Sequence, residues 1–93
     1  MLRFAFAKSF SRQLKRFQKY EKLEIQRVTD SFMLAMDARH PPAGLGLKKL
    51  AGNIWEFRIN LAIRILFGWR RNTITFLFAG NHNETRQFLK HFL

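Results

Sequence analysis

Ninety-three residues leave room for one domain, residues 1–93, and exclude a second. A hydrophobic fraction of 47%, eleven Phe and little Gly or Pro suit a packed core, and the absence of Cys removes disulfides, thiolate zinc sites and thiol nucleophiles together. Seventeen Lys and Arg against six Asp and Glu give +11, more than solubility asks for, and point to a polyanionic partner, nucleic acid first.

The charge is spread, +5 over residues 1–40 and +6 over residues 41–93, so a folded surface rather than a basic tail carries it. The apolar patch Met1 to Ala7 is cut short by Lys8 and by the basic run from Arg12 to Lys19, which excludes a targeting segment. No apolar run approaches the ~20 residues that span a bilayer. A soluble, cytoplasmic protein with no membrane partner is expected.

Leu2 to Phe6 alternates loosely and predicts an opening strand. From Ser9 the period becomes helical: Phe10, Leu14 and Phe17 fall on one stripe, with Arg12, Lys15, Arg16 and Lys19 on the other face and Ser9 as the N-cap. A second helix is predicted from about Glu21 to Asp37, with Ile25, Val28, Phe32, Ala35 and Met36 on its apolar stripe. A break near Tyr20 makes the two an antiparallel hairpin.

His40, Pro41, Pro42, Gly44 and Gly46 form a breaker segment. Three alternating runs follow. Trp55, Phe57 and Ile59 form the first, Ile63, Ile65, Phe67 and Trp69 the second, and Ile74, Phe76 and Phe78, after a turn at Arg71 and Asn72, the third. A short helix opened by Asn81, His82 and Asn83 brings Phe88, Leu89 and Phe92 to the core. The expected fold class is α+β: an N-terminal strand and helical hairpin packed on one face of a small antiparallel sheet, with a short C-terminal helix.

Strand alternation puts Trp55, Phe57, Ile59, Ile63, Ile65, Phe67, Ile74, Phe76 and Phe78 under the helices, and leaves Arg58 and Arg64 together on the open face. Two arginines on a rigid sheet can bind neighbouring phosphates or hold a phosphorane as charge builds on its oxygens. Lys48 and Lys49 would extend that field, as would Arg70 and Arg71. His82 directly follows the last strand, and histidine is the side chain suited to proton transfer near neutrality. Its plainer use is to cap the last helix with Asn81 and Asn83. Glu56 shares the face with Arg58 and suits a cross-strand ion pair better than a general base. His40 and His91 read as helix-end residues, Glu84 as a first-turn carboxylate. No His, Asp and Glu spacing suggests a metal site, and no Gly-rich loop suggests a nucleotide cradle, so no cofactor is expected.

The segments Leu47-Lys48-Lys49-Leu50-Ala51-Gly52, Trp55-Glu56-Phe57-Arg58-Ile59, Arg64-Ile65-Leu66-Phe67 and Gly80-Asn81-His82-Asn83-Glu84 occur in that order. Together they resemble the RelE/ParE superfamily of type II toxins over about residues 40 to 90, with the helical hairpin ahead of them in the expected place. The resemblance implies a ribosome-dependent mRNA interferase that cuts without metal and leaves a 2′,3′-cyclic phosphate. Arg58 and Arg64 would fall on strand arginines that stabilise the transition state, and His82 on the terminal histidine of YoeB-like members. Asn83 stands where those relatives often carry a tyrosine, and the loop around Leu45 lacks a carboxylate that some use as base. The resemblance further implies an acidic cognate antitoxin as partner. Two other functions fit the same resemblance: a ParE-like inhibitor of DNA gyrase without a catalytic centre, and a non-catalytic RNA or ribosome binder.

Overall fold

The computed structural model describes all residues, 1–93. The elements in chain order are β1 (Arg3–Phe6), α1 (Lys8–Leu14), α2 (Lys19–Asp37), β2 (Lys48–Ala51), β3 (Ile54–Arg58), β4 (Arg64–Arg70), β5 (Thr73–Gly80) and α3 (His82–Phe92). They form one five-stranded sheet in the order β1-β5-β4-β3-β2. Strands β2 to β5 are an antiparallel meander, whereas β1 runs parallel to β5 and makes the sheet mixed.

Helix α2 forms because Ile25, Val28, Thr29, Phe32 and Met36 recur at helical spacing and are all buried. It starts two residues before the expected Glu21 because the Glu21 carboxylate accepts the Gln18 N–H at 2.9 Å, which closes the first turn. The break between the helices therefore lies at residues 15–18 rather than near Tyr20. The helix stops in a Schellman turn: His40 N–H reaches Ala35 O at 2.9 Å and Arg39 N–H reaches Met36 O at 3.0 Å. Arg39 holds φ 60, the left-handed position that glycine normally fills. His40 is thus a helix-end residue, as its position suggested.

The helical hairpin covers one sheet face over a core centred on Phe32, which is fully buried. Its ring lies 4.3 Å from that of Phe57 and 5.0 Å from that of Phe67, centroid to centroid. Phe57, Ile59, Ile63, Ile65, Phe67, Ile74 and Phe76 belong to this core, as alternation required, and Trp55 packs at its margin. Phe78 does not. Opposite β4, the register passes from Leu66↔Phe78 to Phe67↔Phe76, so Leu77 is an extra residue in β5. The bulge flips the parity and sends Phe78, with Leu77, to the other face.

Ser9 is not the N-cap of α1; that position is Ala7, two residues earlier than expected. The Ser9 hydroxyl instead donates to Leu77 O at 2.6 Å, supplying a partner to the carbonyl that the bulge takes out of the ladder. The far face is not wholly open either. Helix α3 lies on it over a second small core of Ile54, Leu66 and Leu77, with Phe78, Phe88 and Leu89 at the edge. The C-terminal helix thus docks on the face opposite the hairpin. No helix is long and apolar enough to cross a membrane.

Candidate nucleic-acid interface

One part of the far face that α3 leaves uncovered lies where β3 finishes and β4 begins. Arg58 and Arg64 are direct cross-strand partners there. Side chains at such positions start about 5 Å apart. Two like charges so placed repel, and the sequence supplies the remedy two residues back on β3. Glu56, 2% exposed, accepts from Arg64 Nη1 at 3.3 Å through one oxygen and from Arg86 Nη1 at 3.0 Å through the other. Lys48 on β2 pairs with Glu56 in register and so shares its face. Two cations thus hold the Glu56 carboxylate while Lys48 and Arg58 share its face, and Glu56, held by two guanidinium groups, is not free to act as a base.

The two strand arginines differ in freedom. The Arg64 side chain is 14% exposed, and its Nε–H is buried with no acceptor. Arg58 is exposed, but its backbone N–H is held by Leu45 O at 2.7 Å, which draws the loop before β2 alongside it. Gly46, at φ +63, takes the left-handed turn that brings this loop against the Arg58 side chain.

Gly80 is the register partner of Arg64, and two residues of chain, at most about 7 Å, separate it from His82. The turn into α3 is tightly fixed. A Cβ on Gly80 would meet Glu84 Oε1 and Phe78 Cε2, each at 2.9 Å, and Asn81 and Glu84 cap each other's backbone N–H at 2.8 and 2.9 Å. The capping work is therefore done by Asn81. His82 gives only its backbone carbonyl, to the Thr85 hydroxyl at 2.9 Å, and its imidazole is exposed and makes no hydrogen bond. His82 and Arg86 are four residues apart on α3, hence on one flank of the helix. Arg86 reaches Glu56, so that flank borders the arginine cluster.

Of the expected site residues, Arg58, Arg64, Lys48 and His82 are thus brought to one end of one face. Lys49 is not: it pairs with Trp55, whose side chain lies on the hairpin side, so it projects away from the cluster. Arg70 and Arg71 lie at the other end of β4, about 20 Å away along a seven-residue strand. Arg86 was missed. Its signal was available, an arginine one turn after His82 on an amphipathic helix, but its destination depends on which sheet face α3 covers. No recess in the molecule is lined by Arg58, Arg64 or His82; the cluster is an open surface suited to a polymer rather than a small molecule.

No known family profile matches the chain, and no curated protein matches it. Solved structures do. YafQ from E. coli strain BL21(DE3) superposes with a TM-score of 0.72 at 15% identity, covering 91% of this chain and 98% of that one. The RelB-RelE antitoxin-toxin complex from Methanococcus jannaschii gives 0.67 at 19% identity, covering 90% and 96%. The YoeB-YefM toxin-antitoxin complex from Staphylococcus aureus gives 0.62 at 21% identity, covering 88% and 98%. The chain has the fold of the RelE, YafQ and YoeB toxins along nearly its whole length.

Proposed function

We propose that this protein is the toxin of a type II toxin-antitoxin pair and a ribosome-dependent, metal-independent endoribonuclease acting on mRNA. The observation that carries the reading is the direct opposition of Arg58 and Arg64 across β3 and β4, with His82 at the same end of the sheet. Glu56 offsets only part of the repulsion between these opposed like charges, since it pairs with Arg64 and not with Arg58, and an anion between them offsets the rest. The unpartnered Nε–H of Arg64 adds a second debt of the same kind.

In the proposed reaction the RNA 2′-oxygen attacks the adjacent phosphorus and the bond from phosphorus to the 5′-oxygen breaks. The products are a 2′,3′-cyclic phosphate and a 5′-hydroxyl. Arg58 and Arg64 meet the charge that grows on the equatorial phosphorane oxygens. Lys48 holds a neighbouring phosphate. His82, protonated, donates to the departing 5′-oxygen. Glu56 keeps Arg64 in place and accepts no proton, so the 2′-hydroxyl proton leaves to water. The neighbouring solved structures that are described as toxin-antitoxin complexes support an antitoxin as partner here. An acidic one fits a surface of +11. Cytoplasmic residence follows from the proposed target.

The test is transcript-wide mapping of 5′ ends after induction. Wild-type protein is expected to cut messages within reading frames. Arg58→Ala, Arg64→Ala and His82→Ala, each folded by circular dichroism, are expected to cut them at least 100-fold more slowly, the low end for loss of a transition-state contact or a general acid. Intact messages in growth-arrested cells would overturn the reading.

A further inference from the structure

Only two residues of the chain other than glycine hold positive φ, Arg39 at 60 and Arg71 at 54. Both stand where glycine is the unstrained choice. Arg39 terminates α2 in the Schellman turn, and Arg71 is the first residue of the two-residue connection between Arg70 and Thr73, which pair across β4 and β5. The two arginines are 32 positions apart in sequence yet line the same recess, about 370 Å³, together with Met36, Asp37, Trp69 and Asn72. Arg71 and Asn72 also wall an adjoining recess that contains Arg3. None of these three arginines makes an ion pair, since the chain's only ion pairs are those of Glu56.

We propose that this recess is a second RNA site, which takes one unpaired nucleotide at the pole of the sheet opposite the Arg58 and Arg64 cluster. The half-buried Trp69 indole, backed by Trp55 at 5.7 Å, supplies a surface for a base to stack on. Arg39 and Arg71 at its rim meet the nucleotide's own phosphate, and Arg3 beyond Arg71 meets the next. For base edges the Asn72 amide provides donors and an acceptor, and the Asp37 carboxylate further acceptors. Asp37 Oδ1 already accepts Leu2 N–H at 3.2 Å, which holds the carboxylate in the wall of the recess, and the indole surface suits a base better than it suits an acidic peptide. The strain is kept at both positions because a glycine there would relax the backbone and remove the cation.

The site rests on RNA as the partner, but not on RNA cleavage. Trp55→Phe leaves Trp69 as the only indole, because the chain has two. In that background a 2′-O-methyl oligoribonucleotide, which cannot be cut, is expected to quench Trp69 emission saturably. Adding Arg39→Gly and Arg71→Gly is expected to raise the Kd read from that quenching at least tenfold. The same pair should flatten the plot of log K against log salt by about 0.7, the share of the one phosphate the two arginines meet. Its Tm should be no lower, which separates lost binding from lost folding. Arg58→Ala with Arg64→Ala should retain the Trp69 response while abolishing cleavage, so the two sites fail independently. The proposal is overturned if RNA binds by anisotropy with no change at Trp69, if the two glycine substitutions leave that Kd unchanged, or if an acidic peptide produces the response at lower concentration than the RNA.

Discussion

Glu56 holds the candidate catalytic face together through two contacts, to Arg64 at 3.3 Å and to Arg86 at 3.0 Å. Replacing it with Gln keeps the volume and removes the charge, leaving two guanidinium groups facing each other. Breaking a buried pair costs about 3–5 kcal/mol. Here about 2–3 kcal/mol is expected in urea unfolding, because the two arginine side chains are 14% and 33% exposed and water screens part of the repulsion. RNA cleavage by Glu56→Gln should fall further than binding does, since Arg64 loses its fixed position. Equal losses in both would make Glu56 structural alone. At the opposite pole, Arg71→Gly should raise Tm by roughly 3–6 °C, equivalent to about 0.5–1 kcal/mol of relieved left-handed backbone.

At the scale of elements, the bulge at Leu77 links α1 to β5 through the Ser9 hydroxyl, 2.6 Å from Leu77 O. Ser9→Ala leaves that part-buried carbonyl without its partner and should cost about 1 kcal/mol in denaturant unfolding. Asn81→Ala removes the cap of α3 and should cost a similar amount. Any fraying should appear in hydrogen exchange at the first turn of that helix, where His82 sits. These elements also mark how far the sequence could be read. Alternation in β3 and β4 put Arg58 and Arg64 on one face, because those strands are regular and one face is strongly apolar. The same rule misplaced Phe78, since a bulge leaves no trace in an apolar run such as Phe76-Leu77-Phe78. Strand β2, Lys48–Ala51, was missed because it is four residues long at the sheet's edge and its exposure follows no alternation. Arg86 was missed because periodicity gives a helix its faces but not the surface it docks on.

For the molecule as a whole, seventeen cations meet six carboxylates, and only Arg64 and Arg86 are paired. The surface of the free protein is therefore strongly positive at both poles of the sheet. Binding to single-stranded RNA should weaken steeply with salt, with a slope of about −3 to −4 in log K against log salt if the Arg58 and Arg64 face and the Arg39 and Arg71 recess together engage about five phosphates. Salt-insensitive binding would show that the charge serves something else. The central claim concerns what happens once RNA is bound, and its most direct measurement is single-turnover cleavage of mRNA on purified translating ribosomes without added antitoxin. Wild type should yield a 2′,3′-cyclic phosphate and a 5′-hydroxyl at one site per paused ribosome, with His82→Ala binding equally well and cutting at least 100-fold more slowly. Intact mRNA on ribosomes that the wild-type protein demonstrably occupies would contradict it.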